Sequence, residues 1–115
     1  MNPIWSESLV RFWMRALVQS DYDEVTKHVG LTVAAFCDGS GKRAGLGVGK
    51  DLGTYLPYGD ADLTAALSTL IKDQWLSCRK ERPGTRSEWT RYSLRNNRTV
   101  RAERATWNAA KRERV

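Results

Sequence analysis

Histidine occurs once in the 115 residues and cysteine twice, as Cys37 and Cys78. One imidazole and two distant thiols supply no zinc-ligand spacing, so no metal is expected. The thiols read as reduced and part-buried in a cytoplasmic protein, a disulfide being the lesser reading. Long apolar runs are also missing, and with a mean hydropathy of -0.55 the chain has no membrane-spanning helix to offer. Met1 to Glu7 carries neither the basic flank nor the apolar stretch of a signal peptide, so export is not expected. Repeats and low-complexity stretches are absent too. What remains is globular composition, 41% hydrophobic and 28% charged, at the size of one domain. Such a chain buries roughly two thirds of its unfolded surface, enough for a core without disulfides or metal.

Charge is unevenly distributed. Residues 1–78 hold 7 Lys or Arg against 9 Asp or Glu, whereas residues 79–115 hold 12 against 4. The whole net charge of +6 therefore comes from the last third of the chain. A cationic segment on a slightly acidic body points to a polyanionic partner, most often nucleic acid; the plainer reading is a solvated helix end.

Periodicity divides the chain into an N-terminal helix (1–20), a central domain (21–95) and a basic C-terminal helix or tail (96–115). From Ser6, a candidate N-cap, to Gln19, the residues Leu9, Phe12, Trp13, Ala16 and Leu17 fall on one helical stripe. Val10, Met14 and Val18 form a second row, which asks for burial on two sides or a homodimer contact. Asp21 reads as the cap of the next helix, with Glu24 closing a capping box. That helix runs to about Cys37 and presents Val25, Val29, Thr32, Val33 and Phe36; a buried strand from Leu31 to Phe36 is the alternative. Gly30 within it predicts close packing of another backbone.

Asp38 to Val48 is glycine-rich and reads as an irregular loop. A short helix follows from about Gly49 to Tyr55, with Leu52 and Leu56 inward, and Leu56-Pro57-Tyr58-Gly59 is a turn. A helix starts at Asp60 and buries Leu63, Ala66, Leu67, Leu70 and Ile71. Trp75 to Lys80 and Trp89 to Leu94 alternate as two strands around a turn at Pro83-Gly84, each strand face contributing an aromatic to the core. From about Arg98 to Arg114 the spacing is helical again. Mainly α with a small β-hairpin is the predicted class.

The residues Asp51-Leu52-Gly53-Thr54-Tyr55-Leu56, then Leu63-Thr64-Ala65-Ala66-Leu67-Ser68-Thr69-Leu70, then Gln74-Trp75-Leu76, preceded by Thr26 to Ala34 as a first core helix, carry a resemblance. In that order they resemble the winged helix-turn-helix domains of phage and plasmid replication-initiation proteins and related phage regulators. The likeness spans about Tyr22 to Leu94 and rests largely on leucine spacing. It implies a winged helix-turn-helix with extra N- and C-terminal helices, and a DNA-binding role in transcription regulation or replication. Gln74 stands where that pattern usually has glycine.

In such a fold the second helix reads base edges with its N-terminal residues. Here these include Asp60 and Asp62, which repel phosphate, so base contact falls to Thr64 and Ser68, with Lys72 the first cation. The wing supplies Arg79, Lys80, Arg82, Arg86 and Arg91, able to straddle a backbone or enter a minor groove. The C-terminal segment supplies Arg98, Arg101, Arg104, Lys111 and Arg112 on one arc with Asn108, opposite Glu103, Ala110 and Glu113. Val100 and Trp107 lie at one edge, suited to docking on the body or on a second copy. A basic face with so few apolar residues suits phosphate rather than membrane.

Enzymatic readings are weaker. Gly39-x-Gly41-x-x-Ala44 loosely matches a dinucleotide fingerprint but lacks its βαβ unit. Gly45 to Asp51 mimics a phosphate loop with Ala44 in place of the first glycine and Asp51 in place of the magnesium-holding hydroxyl. His28 reads as a surface or capping residue, and Asp21, Asp23 and Glu24 as capping groups. The expectation is a cytoplasmic, non-enzymatic protein without cofactor that binds double-stranded DNA. A winged-helix protein-interaction module is the rival.

Overall fold

The computed structural model describes residues 9–37, 44–45 and 52–113. The expected cap at Ser6, most of the glycine-rich segment with its two nucleotide-like patterns, the first residues of the short helix and Arg114 lie outside these. The elements in order are α1 (Leu9–Val18), α2 (Glu24–Ala35), β1 (Ala44–Gly45), α3 (Gly53–Tyr55, a single turn), α4 (Asp60–Lys72), β2 (Leu76–Glu81), β3 (Trp89–Leu94) and α5 (Arg98–Glu113).

The apolar stripe of α1 is buried as its spacing requires: Phe12, Trp13, Ala16 and Leu17 all lie in the core. α1 packs on α2 on one side and α5 on the other. The second row is covered only in part within the chain, with Val10 and Met14 half-buried and Val18 exposed. Helix α2 begins two residues later than the capping-box reading expects. Asp23, not Asp21, is its N-cap, its carboxylate accepting from the Thr26 amide at 2.8 Å. The cause is Tyr22, whose hydroxyl is tied to Asp73 and whose ring meets Trp75 edge-on, so Asp21 and Tyr22 are held outside the helix. The bonds from Thr26 hold the Asp23 carboxyl below its ordinary pKa. A depressed pKa means that this contribution is present above the ordinary carboxylate value and is lost as pH falls through the folded one.

α2 buries Thr26, Val29, Gly30, Val33 and Ala34. A Cβ on Gly30 would sit 2.4 Å from the Leu17 side chain and 3.2 Å from that of Trp13, so the close neighbours are core side chains rather than the backbone expected there, and only glycine admits this approach of α1 to α2. Phe36 is not core: it is the C-cap, 43% exposed, and leans on Tyr55 with ring centroids 5.4 Å apart.

Helix α4 buries Leu63, Ala66, Leu67 and Leu70, with Ile71 partly covered. It ends in a Schellman arrangement: the Gln74 amide donates to the Ile71 carbonyl and the Trp75 amide to that of Leu70. Gln74 pays for this with a φ of 66°. A left-handed conformation costs a residue with a Cβ about 1–2 kcal/mol, and glycine nothing comparable. Gln74→Gly should therefore raise the thermal midpoint by several degrees, a gain read directly by calorimetry.

Trp75 precedes β2 rather than opening it. Its carbonyl accepts from both Trp13 Nε1 and the Arg95 amide, each at 2.9 Å, joining α1, the end of α4 and the end of β3 at one atom. β2 and β3 form an antiparallel hairpin with Leu76 opposite Leu94 and Glu81 opposite Trp89. The sheet has three strands, not two. β1 lies within the stretch expected to be irregular and pairs with β3 through Ala44 and Tyr92, giving the order β1-β3-β2. Leu76, Tyr92 and Leu94 are buried, whereas Trp89, on the other face, is 39% exposed and not a core residue.

Candidate nucleic-acid interface

The expected contact residues fall on three surfaces. On α4, Thr64, Ser68 and Lys72 are all exposed. They share one side of the helix with the small exposed Ala61 and Ala65, while Asp60 and Asp62 occupy its first turn. This face is uncharged along most of its length and negative at its start.

The hairpin separates its five cations into two groups. Arg79 and Arg91 are directly opposite across β2 and β3. Like charges so placed repel, and Glu81 answers both, its Oε1 lying 3.4 Å from Arg91 Nε and 3.8 Å from Arg79 Nε. At 3.4 Å the Glu81 and Arg91 atoms attract as charges without an aligned hydrogen bond. Arg91 also lies over the Trp89 ring, 5.5 Å from its centroid. Arg91 is thus held against the sheet surface, whereas Arg79 stays largely exposed. Lys80, Arg82 and Arg86 are exposed, and none forms an ion pair among the described residues. The loop acid, Glu88, is turned inward to accept from the Gly84 amide at 2.9 Å, where φ is 78°. Thr85 accepts from the Ser87 amide and donates to the Arg82 carbonyl, bracing the same turn. The tip of the hairpin is consequently cationic.

Helix α5 corrects one assignment. Its docking stripe is Val100, Glu103, Arg104 and Trp107, at spacing i, i+3, i+4, i+7. Val100 is 1% exposed, and Trp107 meets Phe12 edge-on at 6.5 Å. Glu103 pairs with Arg15 at 3.0 Å. The Arg104 guanidinium stacks over Phe12 at 5.0 Å, and Arg11 and Arg15 stack over Trp107 from the other side. Arg104 therefore faces the body rather than the outward arc, because the aromatic surface of α1 attracts cations as well as apolar groups. The signal was in the spacing, masked by two charged residues in an inward stripe. Arg98, Arg101, Lys111 and Arg112 remain exposed.

Two grooves accompany these surfaces. A polar one of about 680 Å³ lies where the end of α4, the start of β2 and the β3–α5 link meet, and Arg95, Arg98 and Arg101 all line it. Arg95 was not among the expected contacts, because it falls in the link between two regular elements. Asp73 lines the same groove, its carboxylate accepting from the Tyr22 hydroxyl. Burial and this carboxylate push the Tyr22 phenol up to about 12. An apolar groove of about 580 Å³ runs between α2 and α3, bordered by Leu31, Phe36, Tyr55 and Leu56, with His28 bonded to the Tyr58 hydroxyl at 2.8 Å nearby.

No family model, curated protein or solved structure matches the chain. The reading of these surfaces therefore rests on their own chemistry. Among the described residues no helix is long and apolar enough to cross a membrane.

Proposed function

We propose that the chain is a winged helix that binds double-stranded DNA in the cytoplasm through its hairpin and C-terminal helix, as a non-enzymatic regulator or replication accessory of a phage or mobile element. The element order supports the fold reading: helix, strand, two helices and a hairpin, with the first strand paired to the last. The observation that carries the functional reading is the cationic hairpin tip, where Lys80, Arg82 and Arg86 outnumber the one loop acid, Glu88. Lys80, Arg82 and Arg86 project into solvent while both hairpin acids are engaged, Glu81 with the sheet arginines and Glu88 with the Gly84 amide. Phosphate is the partner such a tip fits, with Arg98, Arg101 and Arg112 extending the contact.

Phosphate contact implies counterion release. Six such contacts should make affinity for a random duplex fall about 10³-fold between 50 and 200 mM salt. Fluorescence anisotropy at the two salt concentrations measures this. A folded protein that fails to bind duplex at low salt would sink the proposal. That result would favour an interaction module, for which the apolar groove between α2 and α3 is the suited surface.

A further inference from the structure

We propose that the groove between the end of α4 and the start of α5 is a phosphodiester clamp, in which Arg95, Arg98 and Arg101 hold one strand of the duplex. The inference rests on the duplex-binding reading above and names where the backbone runs.

Three guanidinium groups line this one groove, Arg95 from the β3–α5 link and Arg98 and Arg101 from successive turns of α5. All three residues are exposed. Among the described residues the only acid on the lining is Asp73, and the Tyr22 hydroxyl donates to its carboxylate. The net lining charge is therefore positive in a body whose first two thirds is slightly acidic.

This placement works against the free protein. Helix N-termini carry partial positive charge and favour acids in the first turn. α5 has no acid there and begins with Arg98. A helix start with Arg98, Arg101 and the adjacent Arg95 gathers like charges where a stable isolated fold would disperse them. An anion seated in the groove relieves all of that repulsion at once.

The frame of the groove is already fixed. The Arg95 amide donates to the Trp75 carbonyl at 2.9 Å. Asn97 caps α5, its Oδ1 accepting from the Val100 amide at 2.9 Å, and its Nδ2 donates to the Gln74 carbonyl at 3.3 Å. Arg101 Nη1 donates to the Asn96 carbonyl, which holds that guanidinium at the rim. The backbone of the groove therefore needs little ordering on binding, and what remains to be ordered is the exposed side chains of Arg95 and Arg98.

The lining also selects the class of ligand. Its one aromatic residue, Trp75, is 5% exposed, so no ring face is offered for a base to stack on. Guanidinium groups with neutral polar neighbours such as Ser77 and Thr99 suit the non-bridging oxygens of a backbone. The wing tip and this groove, which share no residue, then form two separate phosphate contacts.

The test uses the full chain and a 20-base-pair random duplex, comparing Arg95→Gln and the pair Arg98→Gln/Arg101→Gln with the wing pair Arg82→Gln/Arg86→Gln. Each groove arginine removed should lower affinity about 3–10-fold at fixed salt, whatever the sequence, and reduce the salt slope by about 1. Thermal melting supplies the second readout. Arg98→Gln should melt at the same temperature or about 1–4 °C higher, since it removes a cation from a helix start. Weaker binding by a protein that melts no lower is the supporting result. Unchanged affinity and slope in the groove variants, with a loss in the wing pair, would overturn the clamp and leave the duplex-binding reading standing. A marked fall in the melting temperature of Arg98→Gln would also overturn it, by assigning that arginine to the fold. Absence of duplex binding by the unaltered protein at low salt would overturn both.

Discussion

Trp13→Ala should remove a large share of the protein's stability. Trp13 is fully buried, packs edge-on against Trp75 at 5.7 Å and donates its indole N–H to the Trp75 carbonyl. Removing a large buried aromatic costs about 3–5 kcal/mol in lost transfer energy and cavity formation. A domain of this length has about 6–17 kcal/mol in all. The thermal midpoint should drop by roughly 10–25 °C, as calorimetry or circular dichroism would show. Trp13→Phe separates volume from hydrogen bonding. The Trp75 carbonyl keeps its bond from the Arg95 amide and is not orphaned, so the loss should be limited to about 1–2 kcal/mol. A Phe variant as unstable as the Ala variant would contradict this account of the residue.

Gly30→Val is the second large effect. The added carbon atoms would enter space held by Leu17, Trp13 and Leu70, the nearest only 2.4 Å from a new Cβ. Those neighbours are fully buried and cannot swing into solvent. Overpacking of this kind costs about 3 kcal/mol, more than the few tenths that valine gains over glycine in helix propensity. The urea midpoint should fall accordingly. The contact also makes a stronger demand. Leu17→Ala, destabilising alone, opens the space that the introduced valine needs, so the double variant should be more stable than the two losses added by at least about 1 kcal/mol. Simple additivity would show that the clash is not with Leu17.

Much of the fold is legible in local spacing. The leucines of α4 recur every three or four residues behind Gly59 and Asp60, and β3 spans Trp89 to Leu94 as its alternation predicts. α5 likewise begins at Arg98. What eludes the sequence depends on partners far along the chain. β1 is two residues long and exists only because Tyr92 and Arg91 offer an edge to pair with. The cap moves from Asp21 to Asp23 because Tyr22 is claimed by Asp73 and Trp75. That Arg79 and Arg91 share Glu81 follows only from the register that sets the two strands opposite one another. Arg104 reads as outward until the aromatic surface of α1 is seen beneath it. The cationic tip itself is legible, because no distant acid among the described residues pairs with Lys80, Arg82 or Arg86. Gln74 is instructive in the other direction, since its departure from the expected glycine marks a position where the backbone is left-handed all the same.

The seam between α1 and α5 bears on how the chain reaches this state. Arg15 and Glu103 meet across 88 positions, and Phe12 waits for Trp107 across still more. Closing so long a loop is entropically costly and late, since local helices and the hairpin form first. Docking of α5 on Phe12 is therefore expected to follow the joining of α1 and α2. Folding rate should depend on how quickly the cationic helix finds that aromatic ring, and added salt, by weakening the arginine contacts that guide it, should slow the final step more than the earlier ones.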